Sequence, residues 1–229
     1  MWGITGPVNG SRSAIELKYS PPIDFNTYSH ASLVGDWRRY DRVGDDYTFA
    51  SRVAAGASFG RNKERFLLGG TNYWINFHYT SSYDVLSDSM ASITRFVTPI
   101  RGADYGSLAG TRFGLVNLEF RYPLVRELKL GWPIPLHFRN IRGILFLDAG
   151  TVWGNGRGFE PFDGARLNTS YSPSSTDPAE RSPQTQGGYG FGWRMNLGIF
   201  VLKWDIAWQT DLRDTYGGAR QFWSLGADF

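Results

Sequence analysis

The sequence predicts an all-β protein, an antiparallel transmembrane β-barrel of about eight strands, on three observations. Segments of about nine to thirteen residues alternate apolar and polar side chains with a period of two, which marks strands with unlike faces. Those lengths are close to the ~9–11 residues that cross a bilayer at a tilt. The polar phase of most segments carries charges, and Trp and Tyr crowd the segment ends as an interfacial girdle does. A soluble sandwich or lipocalin-like barrel shows the same alternation with its polar face outward. The two folds differ in which face meets the surroundings, and the aromatic ends favour the membrane.

The elements follow in order. Ser13 to Tyr19 sets Ile15, Leu17 and Tyr19 opposite Glu16 and Lys18, and Pro21-Pro22 ends it. Ala31 to Arg39 sets Leu33, Gly35 and Trp37 opposite Ser32, Asp36 and Arg38. A turn at Gly44-Asp45-Asp46 leads back through Tyr47 to Phe59 as a hairpin. Residues 60–109 are weakly periodic and rich in Gly, Asn, Ser and Asp, a length of loop that is usually functional or disordered. Then Val116, Leu118, Phe120 and Tyr122 share one face against Asn117, Glu119 and Arg121. If that charged face lines a lumen, Glu119 is placed to receive the loop cation Arg101, which stands beside Gly102. Val125 to Asn140, with Pro133 and Pro135, reads as an irregular connector. Ile144 to Trp153 is a strand with Phe146, Asp148 and Gly150 in one phase and Leu145 and Leu147 in the other.

Residues 154–188 are rich in Pro, Ser and Gly and are expected to be disordered. Tyr189 to Leu197 is a strand, with a tight turn near Gly198. Leu202 to Trp208 is the next, and a turn at Gly217-Gly218 precedes the last, with Trp223, Leu225, Ala227 and Phe229 in phase. Long loops are expected after the first, third, fifth and seventh strands and short turns after the second and sixth. This asymmetry predicts long extracellular loops, short periplasmic turns and periplasmic termini in a bacterial outer membrane.

Composition excludes several classes. No window approaches eighteen uninterrupted apolar residues, so no membrane-spanning helix is expected. A net charge of +3 without a basic stripe excludes a nucleic-acid surface. The absence of Cys excludes disulfides and thiol chemistry. The opening residues lack the basic and apolar regions of a signal peptide. Gly56-Ala57-Ser58-Phe59-Gly60 fits a hydrolase nucleophile pattern, but no helix follows to make its elbow. Gly188-Tyr189-Gly190-Phe191-Gly192 lies in a strand, where small residues suit a curved wall rather than a phosphate loop. His30, His78 and His137 lack metal-ligand spacing. No catalytic residue, metal or cofactor is expected.

Four motifs in order carry a family resemblance: Phe66-Leu67-Leu68-Gly69-Gly70, Ile100-Arg101-Gly102-Ala103, Asn117-Leu118-Glu119-Phe120-Arg121-Tyr122-Pro123 and Phe146-Leu147-Asp148-Ala149-Gly150. Over residues 11–229 the chain resembles the C-terminal half of the barrel in the BamA/TamA-like bacterial surface antigen family. There the first motif opens the sixth surface loop, and the second resembles its Val-Arg-Gly-Phe/Tyr signature, with Tyr105 standing in for the aromatic. The resemblance implies that Arg101 reaches into the lumen and pairs with Glu119 and Asp148. It also implies that the terminal Trp223, Leu225 and Phe229 pattern acts as a barrel-insertion signal. The implied activity is assistance to the insertion of other outer-membrane proteins, which would be its clients beside the lipid bilayer itself. The alternative is a passive membrane anchor or a small barrel without insertase activity.

The family barrel has sixteen strands, about twice the number read here. A closed eight-stranded barrel is just filled by its own side chains, and an open sheet edge is not tolerated in lipid. Three arrangements follow. The loop folds outside a small closed barrel, or two copies join through their strand edges as a homodimer, or the chain is a fragment that closes on itself only after excision.

Overall fold

The computed structural model of the chain describes residues 2–3, 6–23, 28–76, 94–131, 136–154, 158–161, 184–197 and 200–226. In chain order the strands are β1 (Trp2–Gly3), β2 (Gly6–Pro7), β3 (Gly10–Ser20), β4 (His30–Val43) and β5 (Tyr47–Gly60). Three short ones follow: β6 (Arg65–Leu68), β7 (Thr94–Val97) and β8 (Leu108–Gly110). The rest are β9 (Arg112–Leu130), β10 (Leu136–Trp153), β11 (Thr185–Asn196), β12 (Val201–Thr210) and β13 (Thr215–Leu225).

Eight of these form one antiparallel wall in the order β13-β12-β11-β10-β9-β5-β4-β3. Each wall strand lies beside its neighbour in sequence, except that β5 passes to β9 over the intervening segment. That is the meander expected of a barrel wall. Within the described residues β3 and β13 do not pair with each other, so the chain's own wall has two edges.

The faces decide between the two rival folds. On β9, Val116 (41% exposed) and Phe120 (36%) point outward, while Asn117, Glu119 and Arg121 are buried on the inner side. On β10, Leu145 (50%) and Leu147 (44%) point outward, and Asp148 is fully buried inside. A soluble sandwich does the reverse, because a charge removed from water costs several kcal/mol and an exposed leucine sheet gains nothing. The wall is therefore inside out with respect to water and right way round for lipid. Aromatic side chains mark its height. Tyr122, over Gly143, and Trp153 stand ten rungs apart along β10. At ~3.4 Å per residue and a ~45° tilt this is about 24 Å of height, close to the apolar band of such barrels.

Three expectations need correction. Val125 to Asn140 is not an irregular connector: β9 runs on to Leu130 and β10 begins at Leu136. A register shift between Ile141 and Arg142, opposite Pro123, puts the alternation out of phase and hides the strands. Gly217-Gly218 is not a turn but lies inside β13, opposite a second shift between Ala207 and Gln209. The connection from β12 to β13 is consequently the short span 211–214, not a long loop. Gly198, the predicted turn between β11 and β12, lies outside the described residues.

Residues 60–109 are also not a simple surface loop. Their described parts fold into a plug against the wall's inner face, built on the small sheet β7-β6-β8. Phe66, Leu67 and Leu68 are all fully buried, so both faces of β6 are apolar and no alternation reveals it. Phe66, Leu68, Val97, Ile100 and Leu108 pack with Phe113, Leu115 and Val152 of the wall in one apolar cluster. A small closed barrel with this segment outside is thereby excluded. In the second long stretch, residues 185–188 belong to β11, and 162–183 lie outside the described residues.

The outward leucines give a direct test. Leu147→Arg places a guanidinium mid-wall and is expected to cost about 2–4 kcal/mol in lipid vesicles by denaturant unfolding. A change within about 0.5 kcal/mol, as on a water-exposed surface, would contradict a lipid-facing wall.

Candidate functional site: the plug docking centre

The site is assembled by register. Period-two strands put Asn117, Glu119 and Arg121 of β9 on the inner face. Phe146, Asp148 and Gly150 of β10 lie beside them, with Asp148 opposite Asn117 and Phe146 opposite Glu119. On the far side of β10, Asp148 faces Gly188 of β11. These residues form a floor onto which the plug lowers Arg101.

Arg101 is 2% exposed and uses its fork in full. Its Nε donates to Asp148 Oδ2 at 2.7 Å and its Nη2 to Asp148 Oδ1 at 2.8 Å, a bidentate pair. Its Nη1 donates to Glu119 Oε1 at 2.7 Å, and its backbone N–H donates to Asp148 Oδ2 at 3.0 Å. The guanidinium carbon lies 3.7 Å from the centroid of the Phe146 ring, a cation–π stack. Asn117 Nδ2 bridges wall and plug, donating to Asp148 Oδ1 and to the Pro99 carbonyl oxygen, each at 2.8 Å. Arg121 closes the chain, giving Nε and Nη2 to Glu119 Oε2 at 3.0 and 2.8 Å and Nη1 to the Pro7 carbonyl oxygen at 3.1 Å. Two guanidiniums therefore alternate with two carboxylates, and the charges balance where water is excluded.

The glycines of the motifs make the approach sterically possible. Gly102 has φ 96°, a left-handed conformation that swings the chain away immediately after Arg101. A Cβ at Gly188 would collide with the Arg101 carbonyl oxygen, and one at Gly150 would collide with the Ile100 side chain. Gly69 and Gly70 sit at the end of β6, where the Gly70 carbonyl oxygen accepts from the Ile100 N–H at 2.9 Å. The four sequence motifs thus meet at one place. Tyr105 packs its ring over Gly70 and donates its hydroxyl to the Thr71 carbonyl oxygen.

Other contacts hold the plug elsewhere. Arg52 of β5 donates Nη1 to the Thr98 carbonyl oxygen at 2.5 Å and pairs with Asp36 of β4 through Nη2 at 2.6 Å. Arg220 of β13 donates to the Gly102 carbonyl oxygen at 3.2 Å and pairs with Asp104. Arg95 of the plug pairs with Glu16 of β3 at 2.5 Å. Beside the centre, Arg194 and Asp205 form a further buried pair at 2.7 Å.

Asn117, Arg121 and Phe146 belong to the centre, though no motif in the sequence assigns them a role. Each lies two residues from a named partner, so the inner-face phase was the available signal. For Gly188 and for the Arg52 bond to Thr98 there is none, because those partners are plug carbonyls that no spacing rule places. Trp223 points outward and packs against Trp193 (5.9 Å between centroids) and Trp204 (6.1 Å). Leu225 follows it in the same phase, and Phe229 lies outside the described residues. Ser58, the nucleophile of the hydrolase-like pattern, sits inside β5 and accepts from the Glu64 N–H at 2.8 Å.

The arrangement is built to hold. Asp148 and Glu119 have every oxygen engaged by a donor, and deleting Arg101 leaves Asp148 buried without a cation and Glu119 with Arg121 alone. Arg101→Ala should therefore weaken plug docking by about 3–5 kcal/mol, seen as rapid proteolysis within residues 60–109 while the wall persists. Arg101→Lys, which cannot span both carboxylates, should fall between. Cleavage of Arg101→Ala at the native rate would show that the network does not hold the plug.

The geometry agrees with a family match over nearly the whole chain. The Omp85 superfamily domain model matches residues 4–229. No curated protein matches the chain. An antiparallel wall with a lipid-type outer face, filled by a plug and matched over nearly its whole length, identifies the chain as a member of the Omp85 superfamily of outer-membrane proteins.

Proposed function

We propose that this domain assists the insertion or translocation of other outer-membrane proteins, with the plug as the element that sets the state of the wall. The coarse assignment, to the superfamily concerned with outer-membrane protein assembly and translocation, follows from the family match. The finer reading is supported by one observation above all: a plug fixed through Arg101 to β9 and β10 while also contacting β3 and β13 at the two wall edges. A single docked element thereby senses both edges at which the wall can open. In this reading the long connections after β5 and β10 face outward from the cell, and the short turns face the periplasm. The clients are other barrel chains, and the work is mechanical rather than catalytic.

The engagement of every Asp148 and Glu119 oxygen favours a second reading, a rigid membrane anchor. Buried carboxylates held on all sides resist rearrangement, which suits holding better than opening.

One assay separates them. Liposomes carrying the protein should accelerate folding of a urea-denatured small barrel over empty liposomes, and Arg101→Ala should reduce that acceleration several-fold. Folding at the empty-liposome rate would sink the insertion reading and leave the anchor.

A further inference from the structure

The last wall strand does not end in a bare edge. Plug residues Tyr73–Asn76 lie along β13. The Ile75 N–H donates to the Trp223 carbonyl oxygen at 2.7 Å, and the Leu225 N–H donates to the Tyr73 carbonyl oxygen at 3.2 Å. The Asn76 side chain completes the row: Trp223 N–H donates to its Oδ1 at 2.8 Å, and its Nδ2 donates to the Gln221 carbonyl oxygen at 3.0 Å. Trp74 and Ser224 form an antiparallel bridge between the two segments.

The side chains follow the wall's own rule. Trp74 points inward, 6% exposed, and packs on Phe222 with 4.7 Å between centroids. Tyr73 (72% exposed) and Ile75 (54%) point outward, level with the outward Leu225 and Trp223. The segment thus caps the edge in the wall's phase through a single antiparallel bridge, apolar toward lipid and anchored by an inward Trp, with Tyr73 turning the chain at φ 54°. It satisfies edge groups that would otherwise be unpaired in an apolar medium. Among the described residues the outer edge of β3 pairs with no strand. The covering is also linked to the docking centre, since the Trp74 ring packs on Tyr105, four residues after Arg101, at 5.5 Å.

We infer that Tyr73–Asn76 is an exchangeable edge cap that occupies the end of β13 within the chain. Any other strand adding to this edge displaces it first. The inference goes beyond insertion activity, since edge occupancy stands whether or not the protein folds other barrels.

Hydrogen exchange on the full chain in detergent micelles tests it without any client. The Trp223 and Leu225 amides should exchange about tenfold faster in Asn76→Ala, which removes two of the bonds, than in the unaltered protein. Ile75→Pro, which removes the donor to Trp223, should do the same, and Asn76→Ala alone suffices if that variant does not fold. For exchange of strands, the probe is a fluorescent peptide of residues 10–20, the opposite edge strand. Its binding should rise in Asn76→Ala. A disulfide between Ile75→Cys and Trp223→Cys, which face each other in this register, should abolish binding, and reductant should restore it. Equal amide exchange in all variants, or peptide binding indifferent to the disulfide, would overturn the inference.

Discussion

One guanidinium sets the terms for the rest of this structure. Arg101 is buried between Asp148 and Glu119 with its ring stack on Phe146, and each of those partners is on the wall only because β9 and β10 pair in a fixed register. A one-residue slip of either strand would turn its carboxylate, Glu119 or Asp148, to lipid and strip the cation of that partner. Register, plug position and inner-face charge are therefore one constraint. The motif glycines serve the same end, since Gly150 and Gly188 clear the space that Ile100 and the Arg101 backbone fill.

The wall and the plug need each other for different physical reasons. Alone, the inner face would present Arg52, Asn117, Glu119, Arg121 and Asp148 to an empty lumen, and the plug would expose Phe66, Leu68 and Ile100. Together they bury an apolar cluster above a charge-balanced floor. Lipid contributes the outer boundary, where Leu145, Leu147 and Val116 need no protein cover. The wall edges are the remaining problem, and the plug addresses the β13 side through main-chain bonds and the β3 side through ion pairs.

How much of this the sequence disclosed depended on local regularity. Wall strands with unlike faces, such as Val116 to Tyr122 and Leu202 to Trp208, are legible because lipid and lumen impose opposite chemistry on alternate residues. The Arg101 partners were reachable through the family resemblance and the inner-face phase of Glu119. The ends of β9 and β10 were not, because a bulge opposite Pro123 breaks the count. Gly217-Gly218 misled in the same way, since a strand irregularity and a turn use the same residues. The plug's small sheet was hidden by burial on both faces, and its hold on β13 depends on backbone groups that carry no sequence signature.

Wall register and plug position both depend on Arg101 sitting in the lumen between Glu119 and Asp148 when the protein is in a membrane. Solid-state NMR of lipid-reconstituted protein, with labelled arginine nitrogen and carboxyl carbon, tests it most directly. Through-space transfer is expected from the Arg101 guanidinium to both the Asp148 and Glu119 carboxylates, with the arginine shifted by the Phe146 ring. An Arg101 side chain with no such transfer and rapid solvent exchange would contradict it.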